Sequence, residues 1–140
     1  MLNNSTEIFQ LIDIPRFKDM RGCLSVVEGA NHIPFPIKRI YWIQKVPNGA
    51  IRGGECHRKL RQVIVSVQGS FDVELDNGYS KTIYTLNNSQ KGLLIEPNIW
   101  RALSHFSEDA ICLVIASEPY DTDDIIDDYN VFMKISANGK

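Results

Sequence analysis

Cysteine, long apolar runs, basic blocks and internal repeats are scarce or missing in this chain, and each absence narrows what it can be. The three cysteines, Cys23, Cys56 and Cys112, are an odd, widely spaced set with no CxxC pair, which argues against a disulfide framework and a structural zinc site. The longest nearly apolar stretch, 110–116, is far too short to span a bilayer. There is no basic block and the formal net charge is −2, so neither nucleic acid nor an anionic membrane is an indicated partner. The opening MLNNSTEIFQLIDIPRFKD lacks a basic start followed by an apolar run; no signal peptide is read, and a cytoplasmic protein is expected. No linker or low-complexity segment divides the 140 residues, so a single domain over 1–140 is expected. A chain of this length buries roughly 68–70% of its unfolded surface, enough for an ordinary core.

What is present is a series of short β-type runs broken by turn residues. Segments 37–44 (IKRIYWIQ) and 62–68 (QVIVSVQ) are rich in β-branched and aromatic residues. Segment 71–75 (FDVEL) alternates apolar and polar, the period of a half-buried strand. Gly69-Ser70 separates these last two as a tight hairpin turn, and Asp76-Asn77-Gly78 turns the chain into 81–86 (KTIYTL). Segments 92–96 and 110–116 complete the main set, with weaker strands expected at 8–12 and 23–27. Short, closely spaced strands without helical periodicity between them indicate a sandwich or barrel. The one helix expected is C-terminal, about 122–135. Thr122 can cap it, Asp123 and Asp124 suit its positive end, and Ile125, Ile126, Tyr129, Phe132 and Met133 form an apolar stripe for packing on the barrel.

The stretch 52–62, RGGECHRKLRQ, carries the chemistry-bearing residues. If 55–58 is extended, Glu55 and His57 point to one face while Cys56 and Arg58 point to the other. A carboxylate beside an imidazole inside a barrel can serve as a proton-transfer pair. The alternative is a purely structural pair, either facing water at a strand end or buried and hydrogen-bonded. Cys56 adjoins His57, but strand neighbours face opposite sides, so a cysteine–histidine nucleophile is not expected. His32 and His105 fall in expected loops or strand ends. Arg39 and Tyr41 share one face of their strand, Lys38 and Trp42 the other.

Four passages resemble a known family. They are Asp19-Met20-Arg21-Gly22-Cys23-Leu24 followed by Glu28; Ile33-Pro34-Phe35-Pro36-Ile37-Lys38-Arg39-Ile40-Tyr41; Arg52-Gly53 with His57, Lys59-Leu60, Gln62 and Gly69-Ser70; and Pro97-x-x-Trp100 with Phe106-Ser107, Ala116-Ser117, Tyr120-Asp121 and Tyr129. In this order and spacing, over about 13–135, the chain resembles the sugar 3,4-ketoisomerases of the WxcM-like cupins, which act on a dTDP-linked 4-keto-6-deoxyglucose. The resemblance implies an all-β cupin, an RmlC-like jelly-roll barrel with a short C-terminal helix, and a homodimer. Two positions depart from the family pattern: Glu55 stands where the first histidine of an H-x-H pair is usual, and Arg101 where a histidine follows the tryptophan.

The cupin metal site draws two histidines and a glutamate from one motif and a histidine from a later one. This chain offers only His57 and Glu55, short of the three ligands a catalytic metal needs, so no metal is expected. Isomerisation requires taking a proton from C3, passing through an enediol, and delivering a proton to C4, with no cofactor needed. The expected roles are His57 as the acid/base at carbon, Glu55 as hydroxyl-proton shuttle or orienting group, and Arg101 as stabiliser of enediolate charge. Placed by the resemblance beside the active strand, Arg39 and Arg52 are expected to bind the pyrophosphate. Tyr41 and Trp100 are expected to stack on base or sugar, or to serve as core. The competing possibilities are a non-catalytic nucleotide-sugar-binding cupin and an isomerase or epimerase of another keto sugar.

Overall fold

The computed structural model describes residues 8–138. Its strands are β1 (Gln10–Asp13), β2 (Arg16–Asp19), β3 (Gly22–Ser25), β4 (Arg39–Gln44), β5 (Arg52–His57) and β6 (Gln62–Gln68), followed by β7 (Phe71–Asp76), β8 (Lys81–Leu86) and β9 (Lys91–Ile95). The chain then forms β10 (Trp100–Ser104), β11 (Ile111–Ala116), a 3-10 turn over Thr122–Asp124, β12 (Ile125–Ile126) and helix α1 (Tyr129–Asn138). One sheet has the order β1-β9-β6-β11-β4, the other β12-β5-β10-β7-β8, and β2-β3 forms a separate hairpin. The molecule is thus a jelly-roll sandwich of the cupin type, with the barrel left unclosed between β4 and β5, which belong to different sheets.

Alternation along the strands assigns each side chain to a layer. Ile64, Phe71, Val73, Leu75, Leu93, Leu103 and Val114 meet between the two sheets. Val63, Val65, Leu94 and Ile115 point the other way and are covered by Ile33 and Phe35 of the 26–38 loop. Strand β6 is therefore buried on both faces, which explains its nearly continuous apolar run. On the outside of the second sheet, Cys56 packs with Ile126 of β12 and Phe132 of α1.

The turn between β6 and β7 requires glycine. Gly69 has a φ of 72°, and a Cβ there would lie 2.8 Å from the Ala110 Cα and would also strike Ser107 Oγ. That hydroxyl cannot move away freely, because it accepts the Ser70 N–H at 2.9 Å. Gly69→Ala is expected to cost about 2–4 kcal/mol through strain and collision together. Urea unfolding should show a lowered midpoint with an unchanged slope; an unmoved midpoint would contradict this packing.

The C-terminal helix begins later than its sequence pattern suggests. Ile125 and Ile126 pair with His57 and Cys56 as an edge strand, and Asp121 rather than Thr122 caps the preceding 3-10 turn, accepting the Asp123 N–H. Asp128 starts α1, accepting the Asn130 and Val131 N–H groups on its side chain. Backbone pairing with β5 thus wins over helical periodicity in 122–128. As a result, Tyr129 and Met133 stay partly exposed while Ile126 and Phe132 are buried. Two other strands escape the pattern: β2, which with β3 is exposed along its length, and β10, whose inward positions are Arg101 and Leu103. An arginine at a core position hides the alternation.

Candidate active site

Strand β5 is shaped by two consecutive glycines, Gly53 and Gly54, with φ of 82° and 81°. Against β10, Arg101 pairs with Glu55 but Ala102 pairs with Gly53, so Gly54 is the extra residue of a bulge. Positive φ at both positions favours glycine. Beyond the bulge, strand alternation turns Glu55 and His57 towards the gap between the sheets and Cys56 towards α1. Burial pushes the Cys56 thiol up to about 11, so it is a packed thiol and no nucleophile.

His57 is held at both nitrogens. Nε2 lies 2.9 Å from Glu55 Oε2 and Nδ1 lies 3.3 Å from Asp124 Oδ2. The imidazole is almost fully buried, with 4% of the side chain exposed, against 27% for Glu55. The hydrogen bond to His57 is the main cause that lowers the Glu55 carboxyl below its usual range; burial opposes it, and the charges of His57, Arg101 and Arg39 add to the lowering. The hydrogen-bond partner of Glu55 is therefore His57, while Arg101 reaches it only through its field.

A cleft of about 370 Å³ opens where β4 faces β5, lined by Arg39, Tyr41, Glu55, His57, Tyr120 and Asp124 among others. The Arg39 guanidinium lies 5.2 Å from the Tyr41 ring centre and 5.4 Å from that of Tyr120, in cation–π range. Its Nε is buried without a hydrogen-bond partner. Such an orphaned donor beside a cleft is a place for an anion.

An inner cavity of about 140 Å³ shares Tyr41 and Glu55 with the cleft and adds Arg52, Gln62 and Arg101. Arg101 is buried, donating through Nε and Nη2 to the Ile99 carbonyl at 3.1 and 2.9 Å and through Nη1 to Gln62 Oε1. Gln62 Nε2 in turn donates to Tyr41 Oη at 3.1 Å. Burial raises the Tyr41 phenol above its usual value, so the ring stays neutral.

These placements divide the residues expected from sequence. Arg39, Tyr41, Glu55 and His57 come together at the cleft, and Arg52 and Arg101 sit in the cavity behind it. The guanidinium of Arg101 is held by Ile99 and Gln62 in the inner cavity, beside Glu55 and Tyr41. Trp100, the strand neighbour of Arg101, faces outward, edge-on to Tyr129 at 5.2 Å and near Phe132, in the packing position that is the alternative to stacking on a ligand. His32 accepts the Glu28 N–H in a loop, and His105 is an exposed partner of Asp72. Among the described residues, no group of three or more histidine, cysteine or carboxylate side chains is arranged to hold a metal ion. Asp124 and Tyr120 are the cleft residues that sequence reasoning missed. Asp124 read as a helix-start residue, and only the pairing of β12 with β5 brings it to His57.

A family profile described as FdtA: WxcM-like, C-terminal matches residues 7–137. The chain belongs to this family. It is 38% identical over 128 residues to the TDP-4-oxo-6-deoxy-alpha-D-glucose-3,4-oxoisomerase of Aneurinibacillus thermoaerophilus, covering 91% of this chain and 92% of that one. A solved relative of the WxcM-like chain is the 3,4-ketoisomerase QdtA of Thermoanaerobacterium thermosaccharolyticum. A histidine-to-asparagine variant of it, in complex with TDP-4-keto-6-deoxyglucose, superposes with a TM-score of 0.93 at 36% identity, covering 96% of this chain and 97% of that one. The TDP-fucose-3,4-ketoisomerase of Campylobacter jejuni superposes at 0.88 with 30% identity, covering 93% and 96%.

Proposed function

We propose that this WxcM-like protein is a nucleotide-sugar 3,4-ketoisomerase that converts a dTDP-linked 4-keto-6-deoxyhexose to its 3-keto isomer. The observation that carries the reading is the buried imidazole with a carboxylate at Nε2, bordering a cleft that also holds an arginine with an orphaned donor. Relatives named as 3,4-ketoisomerases match nearly the whole chain. In the proposed reaction the His57–Glu55 pair takes the C3 proton while the C4 carbonyl oxygen gains one, giving an enediol. Loss of the C3 hydroxyl proton then forms the new carbonyl, and a proton is added at C4. The balance needs no electron acceptor, and neither metal nor cofactor is part of the proposal. The test is carbon NMR of the product: a carbonyl displaced from C4 to C3 supports isomerisation. An unchanged sugar bound saturably would instead indicate a binding module, and altered configuration without displacement an epimerase.

Arg39 is assigned to the pyrophosphate, with Tyr41 and Tyr120 framing it, and Arg52 and Arg101 supply positive charge from the inner cavity. Arg39→Ala is expected to weaken dTDP binding about 10- to 100-fold, the worth of one or two charge-assisted hydrogen bonds. Calorimetric titration checks it, and unchanged affinity would remove Arg39 from the ligand site. A single domain in a homodimer working in the cytoplasm completes the proposal. In its favour, β4 is a sheet edge whose outward Ile40 and Trp42 are exposed, as are Phe17 and Leu24 on the β2-β3 hairpin. No helix among the described residues is long and apolar enough to cross a membrane.

A further inference from the structure

The proposed reaction needs a group that gives a proton to the C4 oxygen and takes one from the C3 hydroxyl, while the His57–Glu55 pair handles the carbon-bound proton. Hydrogen-bond direction in the inner cavity identifies such a group. Arg101 carries donors only, so its bond through Nη1 fixes Oε1 as the atom of Gln62 that faces it. The amide nitrogen of Gln62 is thereby turned to Tyr41. An N–H can only donate, so Tyr41 Oη is the acceptor, at 3.1 Å. Gln62 and Arg101 are both buried, which shields this chain of bonds from water. No other hydrogen bond to Tyr41 Oη is present among the described residues, so the phenol proton is left for the space it borders. Tyr41 and Glu55 line both the cleft and the inner cavity. A sugar with C3 at the His57–Glu55 pair brings its C4 oxygen, two bonds away, to that junction.

We propose that Tyr41 is a catalytic residue whose O–H donates to the C4 keto oxygen of the substrate, with Gln62 and Arg101 as positioning residues that aim it. The proposal rests on the ketoisomerase reading. As the C3–H bond breaks, the proton passes to the pair and the electrons form the C3–C4 double bond. The C4 oxygen takes the phenol proton, giving the enediol. The phenolate keeps the Gln62 N–H, and the charges of Arg39 and Arg101 favour it. It then removes the C3 hydroxyl proton as the C3 carbonyl forms, and the pair returns its proton to C4. Phenol and pair end as they began, and no oxidant or reductant is consumed.

Two variants test this, one removing the proton and one turning it away. Tyr41→Phe keeps the ring that lies against Arg39. It is expected to lower kcat about 10²- to 10³-fold, the range for loss of a general acid, with affinity for dTDP little changed. Gln62→Glu replaces the amide nitrogen by an acceptor. Its carboxylate takes the Arg101 N–H on one oxygen and the Tyr41 O–H on the other, drawing the phenol proton away from the substrate. A comparable loss of kcat is expected. In the Y41F background Q62E should add little, because both variants withdraw the same proton.

The experiment is carbon NMR of dTDP-4-keto-6-deoxyglucose labelled with 13C at C4, bound to full-length H57N and H57N/Y41F. It is run beside kcat of wild type, Y41F, Q62E and the Y41F/Q62E protein, and calorimetric affinity for dTDP. The expected result is a keto carbon moved downfield on binding to H57N, a displacement lost in H57N/Y41F, and non-additive losses of kcat. An equal displacement in both proteins, a Y41F protein with wild-type kcat, or additive losses overturns the proposal. A loss of kcat in Y41F matched by a loss of dTDP affinity also overturns it, because Tyr41 would then only shape the cleft. If wild type converts no 4-keto nucleotide sugar, the ketoisomerase reading falls while the bound carbonyl still decides whether Tyr41 donates to it. A sugar that does not bind at all overturns both.

Discussion

His57→Asn is expected to lower turnover of a dTDP-4-keto-6-deoxyhexose by at least about 10³-fold, within the range for loss of a general acid–base group. The imidazole bridges two carboxylates at the cleft, and asparagine cannot take or release a proton at neutral pH. The amide can still donate to Asp124 or Glu55, so the buried position keeps a polar partner and the fold is expected to survive. Ligand binding should change little, because Arg39 and the aromatic rings around it lie on other elements. The check is kcat beside calorimetric affinity for dTDP. A variant with wild-type kcat would remove His57 from the chemistry. Lost binding together with lost kcat would mean that the residue shapes the cleft and does not act in it.

Glu55→Gln is the second large effect, expected at about 10²-fold in kcat. Glu55 is the position where the family pattern has a histidine, and its hydrogen bond to His57 lowers its carboxyl below the usual range. At neutral pH it can receive a proton but has none to give. It therefore serves as the acceptor end of the pair, a weaker base than an unperturbed glutamate and more exposed than the imidazole behind it. Glutamine keeps the shape and removes both the charge and the acceptor of a proton. The pH dependence has a definite sign. A carboxyl whose folded pKa is depressed stabilises the fold above its unfolded pKa, and this is lost as pH falls through the folded value. Wild type should thus lose its stability margin over E55Q only below the ordinary glutamate range, in unfolding measured from neutral to acid pH. A margin independent of pH would contradict the Glu55–His57 hydrogen bond as the cause of the lowered carboxyl.

The strand runs of 62–68 and 81–86 are legible in sequence because β-branched residues and turn glycines bound them, and the structure has the same limits. Glu55 and His57 are legible as same-face neighbours because period-two alternation survives the bulge at Gly54. What pattern cannot carry is long-range pairing. Asp124 joins His57 only because β12 abandons its helical pattern to pair with β5. Trp100 and Arg101 are adjacent in sequence, and which one faces inward is fixed by the layer that α1 covers. A buried arginine in β10 reads as a surface residue until Ile99 and Gln62 are seen to satisfy it.

The most direct test of the account is proton NMR of the wild-type protein with dTDP-4-keto-6-deoxyglucose in deuterated buffer. Proton transfer through His57 and Glu55 predicts a 3-keto product with solvent deuterium at C4. Neither product nor ring deuterium would mean that the pair does not act on this sugar and would contradict the account; a 3-keto product with protium carried from C3 to C4 would show the same acid–base transfer faster than solvent exchange.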